Sequence, residues 1–215
     1  MNIYIMKLFL KHLIFIILII LVSKTHVYSQ KMVLEYGDLN FLKNTSKIRL
    51  IFDYDTMVVG EFSKEEDYVN QKIAEHEKSK PGSGNLWLQE WKGNRVLFFE
   101  PTFEKYLNYK IVNFNKEISG NFSKINTEYT LIVKTTLTDV GYYGYGPFHK
   151  DTRLDITYLF VDSSNPNHVL AKTSCMRLKV FTRYWDIKSR LQYSYGKAGS
   201  FFGKFLVKHL SHRSR

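Results

Sequence analysis

The chain has 215 residues, 44% of them hydrophobic, with 31 lysines and arginines against 20 acids, a formal net charge of +11, and a single cysteine. That length supports one domain with a substantial core, and the lone Cys175 excludes an internal disulfide, so the fold rests on packing alone. Eight cations lie in residues 181–215 against Asp186 alone, while 30–180 is nearly neutral, which argues against a general polyanion-binding body and for one basic end.

At the N-terminus, Lys7 and Lys11 precede the apolar run Leu13 to Val22, and the small-residue exit Val27-Tyr28-Ser29 precedes Gln30. This is the layout of a secretory signal peptide, so the expected protein is exported, periplasmic or secreted. The alternative is a membrane anchor through residues 3–22 left uncleaved, with both lysines held on the cytoplasmic side. A spanning helix needs roughly 20 predominantly apolar residues, however, and the lysines interrupt that count. The expected organisation is a signal segment over 1–29, a lead-in over 30–46, one α/β domain over 47–210, and a basic tail over 211–215.

Lys47 to Val59 is rich in β-formers and reads as an early strand. Ser63, with Glu66 three residues on, has the spacing of a capping box for a helix over 64–78, which Lys80-Pro81-Gly82-Ser83-Gly84 then breaks. From Asn85 to Asn108, Trp87, Trp91, Phe98, Phe103 and Leu107 recur at helical spacing, giving one helix or two divided at Pro101. These tryptophans read as core rather than as a sugar platform. Tyr129 to Val140 is a strand, and Leu154, Ile156, Tyr158 and Phe160 alternate with Asp155, Thr157 and Leu159 in the next, a half-buried strand. The turn chemistry of Asp162 to Asn167 joins it to a partner strand over 169–180, in which Cys175 reads as a buried structural thiol. A last helix over 190–209 contains Gly196, Gly199 and Gly203 on one face, at a cost of about 1 kcal/mol each relative to alanine. The expected compensation is tight packing of this helix on the sheet.

The run Phe62 to Val69, Lys80 to Gly84, Trp87, Trp91, Glu100 to Glu104, Tyr129 to Thr136, Gly196-Lys197-Ala198-Gly199 and Gly203 to Leu206 resembles a family of uncharacterised secreted bacterial proteins. The resemblance spans most of the chain after residue 29 and implies export and a shared fold, and it carries over no catalytic residue. The chain departs from the family pattern at Gly141 to Lys150, where an aromatic insert replaces a plainer turn. The element order is similar to small envelope α/β domains such as the N-terminal domain of TolB and the lipoprotein activators of penicillin-binding proteins, at the level of fold only. The expected class is therefore α/β (α+β): a single sandwich of a mostly antiparallel sheet with helices packed on one face.

No G-x-S-x-G elbow, H-E-x-x-H pair, paired cysteines or phosphate-cradling loop occurs, and the histidines lack ligand spacing, so no cofactor, metal or catalytic set is assigned. Two carboxylate pairs carry the enzymatic alternative, a cell-wall or polysaccharide hydrolase. Asp53 and Asp55 would share a strand face, and Glu90 with Glu100 would flank a sugar bond. The favoured reading is a non-catalytic binding or adaptor domain. One candidate surface is Tyr142, Tyr143, Tyr145 and Phe148 on a glycine-rich loop, whose amphipathic rings suit recognition. The other is the basic end, Lys197, Lys204, Lys208, Arg213 and Arg215, suited to an anionic surface. Expected partners are an envelope protein, a cell-wall polymer or an anionic membrane surface, and not nucleic acid.

Overall fold

The computed structural model describes residues 31–144 and 148–211. The expected signal segment, Tyr145, Arg213 and Arg215 therefore lie outside the described residues.

Three long strands form the centre of one mixed sheet of seven strands. β5 (Tyr129–Asp139), β8 (Thr152–Asp162) and β9 (Val169–Val180) are antiparallel neighbours, the last two joined through the expected turn. In that turn Asp162 Oδ1 accepts the Ser164 amide at 2.8 Å. β1 (Met32–Gly37) pairs antiparallel with β9, so the stretch read as a lead-in supplies an edge strand. On the other side, β2 (Lys47–Asp53) and β4 (Glu117–Ser119) extend the sheet in parallel, giving the order β1-β9-β8-β5-β2-β4, with β3 (Val58–Val59) beside β5.

The early strand is shorter than its β-rich sequence suggests. Asp53 Oδ1 accepts the Asp55 amide at 2.8 Å and Tyr54 O accepts the Met57 amide at 3.0 Å, so the chain turns at Asp53 and re-enters only as β3. α1 (Glu65–Ser79) follows without the Ser63 capping box: its cap position is Lys64 and no side chain bonds there. Glu65, Glu66 and Asp67 in the first turn supply negative charge at the positive end of the helix dipole instead.

Pro101 does not divide the next helical run. α2 (Ser83–Asn94) continues through a π-helical turn, Arg95–Phe99, into α3 (Glu100–Ile111). The proline occupies the first turn of α3, where the wide turn before it removes the usual need for its missing N–H. Arg95, on the π turn, pairs with Glu65 and lies 4.4 Å over the Tyr54 ring, while Trp91 Nε1 donates to Glu65 Oε1 at 2.6 Å. These contacts fasten α1 to the long helical run. Trp91 is buried in the core and Trp87 packs half-buried beside it, stacked at 5.7 Å.

α3 and α4 (Ile187–Ser211) lie over one face of the sheet. Phe202 of α4 stacks on Tyr158 of β8 with centroids 3.9 Å apart, and Phe103 of α3 meets Phe52 edge-on at 5.5 Å. The glycine face of α4 packs on α3, not on the sheet. An added Cβ at Gly199 would stand 2.2 Å from Phe103 O, and one at Gly203 would stand 2.6 Å from Lys110 Cβ. At Gly199 the backbone of α4 meets that of α3 directly, and at Gly203 it meets the stem of Lys110. The opposite sheet face carries ion pairs, Lys134 with Asp53 at 3.1 Å and Lys172 with Glu35 at 2.7 Å.

Cys175 is fully buried on the helix-facing side of β9. Burial pushes its thiol up to about 12, with the nearby Asp155 carboxylate adding to the effect. Because the thiolate is the reactive form, the folded protein should resist a disulfide-exchange reagent at pH 8 and react stoichiometrically once unfolded in guanidinium. Rapid stoichiometric labelling of the native protein would contradict this placement.

Candidate functional site: an aromatic and basic end

Arg190, counted by sequence among the cations of the basic end, is buried at 4% exposure and organises that end from inside. Asp186 caps α4 by accepting the Ser189 amide at 2.7 Å, and Arg190 lies one turn further on and points inward. Its guanidinium donates to the carbonyls of Val140 at 3.0 Å, Gly141 at 3.3 Å, Tyr184 at 3.0 Å, and Trp185. One planar fork thus ties the chain entering the aromatic insert to the connection between β9 and α4.

Two loops held this way present aromatic rings. The insert folds as a small hairpin, β6 (Tyr142–Tyr143) against β7 (His149–Lys150). Gly141 enters it at φ 55, where a Cβ would stand 2.4 Å from Lys150 O, so only glycine fits. Phe148 is 70% exposed and Tyr142 53%, while Tyr143 meets Trp185 edge-on at 5.2 Å. From the second loop Trp185 is 58% exposed, with Phe181 and Tyr184 close to half exposed. His149 contacts Phe181 at 5.1 Å, so the hairpin and the loop form one continuous rim.

The rim runs onto α4. Tyr184 meets Tyr193 at 6.0 Å, and Lys197 lies 5.1 Å over the Tyr193 ring. Lys197, Lys204 and Lys208 are all exposed, and steps of seven and four residues put them on one stripe of the helix with Tyr193. Arg183 lies 5.9 Å over Phe181 and adds a cation at the rim, whereas Lys188 lies 4.9 Å over Phe98 in a separate groove beside Trp87. Lys150 is paired with Asp139 at 2.6 Å. Two grooves flank Tyr193 and Lys197: one of about 520 Å3 between α3 and α4, and one of about 330 Å3 between α4 and the end of β9.

The structure does not bring together the carboxylates of the hydrolase alternative. Glu90 lines a groove beside Trp87 and Asp186, whereas Glu100 lines a different one beside Phe52 and Glu104. Burial raises the pKa of Glu100, yet its near neighbour Glu104 is committed to structure, accepting from Ser119 Oγ at 2.6 Å and the Gly120 amide at 3.1 Å. Asp55 lies in the turn after β2, not on a strand face with Asp53, and Asp53 is paired with Lys134. Neither pair has the shared cleft that two-carboxylate chemistry requires. Among the described residues no three His, Cys, Asp or Glu side chains cluster as metal ligands.

Sequence reasoning missed Phe181, Tyr184, Trp185 and Tyr193, although three aromatics within Phe181 to Trp185 were a readable signal. It also placed Arg190 with the surface charges. No cue in sequence distinguishes an inward arginine from an outward one one turn into a helix.

No family model matches the chain, and no curated protein matches it. Among solved structures it is similar to a PelC dodecamer from Paraburkholderia phytofirmans, at 13% identity over 79% of this chain and 96% of that one, with a TM-score of 0.38. A protein of Xanthomonas campestris described under DUF330 is similar at 9% identity over 80% and 91%, TM-score 0.31. A putative neuraminyllactose-binding hemagglutinin homologue from Helicobacter pylori is similar at 11% identity over 86% and 92%, TM-score 0.32. At these scores neither fold nor residue role is carried across. Among the described residues no helix is long and apolar enough to cross a membrane.

Proposed function

We propose that the chain is an exported, non-catalytic binding domain that docks on an anionic membrane surface through its aromatic and basic end. The observation that carries this reading is the adjacency of exposed rings, Phe148, Trp185, Tyr142 and Phe181, to three exposed cations on one stripe of α4, Lys197, Lys204 and Lys208, with Arg183 beside them. Tryptophan and tyrosine favour the headgroup level, where an apolar body and a polar tip are both accommodated. Lysines carry their charge to the lipid phosphates on long stems, each contributing roughly 1 kcal/mol near an anionic leaflet. Export is supported by Lys7, Lys11, the run Leu13 to Val22 and the exit at Ser29.

The test uses the mature protein, first residue Gln30, with sedimentation on vesicles of phosphatidylglycerol and phosphatidylcholine mixed, or of phosphatidylcholine alone. Binding should require the anionic lipid and weaken with salt. Replacing Lys197, Lys204 and Lys208 together by glutamate should lower affinity by about 100-fold or more, since three such charges total roughly 3 kcal/mol. Equal binding by the wild type and the triple variant would refute the reading. So would binding to isolated cell wall without binding to vesicles.

A further inference from the structure

We infer that the groove between α3 and α4 is a binding site for an anionic saccharide. Its volume of about 520 Å3 falls among small-ligand sites, which occupy roughly 300–1,000 Å3. Three rings wall it: Tyr106 from α3, Tyr184 from the loop before α4, and Tyr193 from α4, each between 38% and 46% exposed. A tyrosine ring offers an apolar face to the C–H side of a sugar and a hydroxyl to its polar edge.

Between the rings the side chains that line the groove carry hydroxyl, amide or ammonium groups, with Gly196 at the floor. Gln192 Nε2 donates to Thr102 Oγ1 at 3.2 Å, which fixes the amide and leaves its carbonyl oxygen and the threonine proton for a ligand. Ser189 and Ser200 add hydroxyls. No aliphatic side chain and no carboxylate lines the groove, so it suits neither a lipid tail nor a cation. Lys197 is the one charged lining group, and it selects a ligand with a negative charge.

Gly196 shapes the floor. A Cβ there would stand 3.1 Å from Thr102 Cγ2 and 3.1 Å from the Tyr106 ring, closing the space between the two helices. The glycines of α4 thus have two uses, Gly199 for helix contact and Gly196 for the open groove.

This site does not rest on membrane docking, although Lys197 belongs to both surfaces. The test is isothermal titration of the mature protein with a tetrasaccharide of alternating uronic acid and hexosamine, against cellotetraose as the neutral probe. The wild type should bind the acidic probe at least tenfold more tightly. Tyr106→Ala should lose at least tenfold toward the acidic probe while vesicle binding stays within twofold, and Lys197→Met should abolish the preference for the acidic probe. Lys204→Glu with Lys208→Glu should weaken vesicle binding and leave saccharide affinity within twofold. Absence of binding to both probes, unchanged affinity in Tyr106→Ala with its melting temperature unaltered, or tighter binding of a nucleoside monophosphate than of the uronate would each overturn the inference.

Discussion

Gly199→Ala should unfold about 4–8 °C below the wild type, although alanine is the better helix former. The added methyl group would stand 2.2 Å from Phe103 O and 3.0 Å from its carbonyl carbon, and both are backbone atoms that cannot rotate away. Overpacking of this kind costs roughly 1–3 kcal/mol and occasionally more. So close an approach to backbone puts the cost at the top of that range, about 3 kcal/mol, and alanine returns about 1 kcal/mol in helix propensity, which leaves a net loss of about 2 kcal/mol. For a domain of this size each kcal/mol shifts the midpoint by roughly 2–4 °C.

The neighbouring glycines should rank by what they meet. At Gly203 the nearest atoms are Lys110 Cβ at 2.6 Å and Leu107 O at 3.1 Å, so alanine there should cost about half as much. At Gly196 the neighbours are side-chain atoms at 3.1 Å and beyond, which can shift, and alanine should be close to neutral in stability. Thermal unfolding of the three single variants checks the order. Three equal effects, or a stabilised Gly199→Ala, would mean that α3 and α4 do not touch backbone to backbone.

Arg190→Met should cost about 3 kcal/mol and loosen both aromatic loops together. The methionine fills much of the space but donates nothing, so the carbonyls of Val140, Gly141, Tyr184 and Trp185 lose one partner in common. An unsatisfied buried acceptor costs roughly 1–3 kcal/mol, and relaxation of the loops toward water recovers part of that sum. Burial lowers the pKa of Arg190 and the Asp186 charge opposes the shift, yet an arginine remains protonated at neutral pH. Arg190→Lys, which keeps the charge but not the planar fork, should recover only part of the loss. Hydrogen exchange should accelerate at both 140–143 and 181–185 in Arg190→Met. Faster exchange at only one of them would show that the guanidinium does not join the two.

How far the sequence revealed this arrangement depended on whether a local period carried the information. β5, β8 and β9 were legible because alternating side chains face core and solvent. The lysine stripe was legible for the same reason at helical period, since Lys197, Lys204 and Lys208 are seven and four residues apart. The π turn at Arg95–Phe99 was not, because one extra residue per turn leaves no composition behind, and Pro101 next to it drew the boundary to the wrong cause. The glycines announced that something approaches α4 closely but could not say that it is Phe103 rather than a strand. β1 was overlooked because Met32–Gly37 is a short edge strand whose partner lies about 140 residues away, as Met32 opposite Cys175 illustrates.

The same division runs through the candidate site. The aromatic insert was visible as composition, whereas its union with Phe181, Tyr184 and Trp185 depends on Arg190 turning inward to hold both segments. That long-range clip converts scattered rings into a surface.

Trp185 emission during titration of the mature protein with anionic vesicles tests the central claim most directly, because Trp185 is 58% exposed on the rim while Trp91 is buried in the core. The emission should shift to shorter wavelength with phosphatidylglycerol vesicles and not with phosphatidylcholine alone. The shift should vanish in the variant carrying glutamate at Lys197, Lys204 and Lys208, and in Trp185→Phe. An unchanged wild-type spectrum at saturating anionic lipid, or a shift that persists in the triple variant, would contradict docking through this end of the molecule.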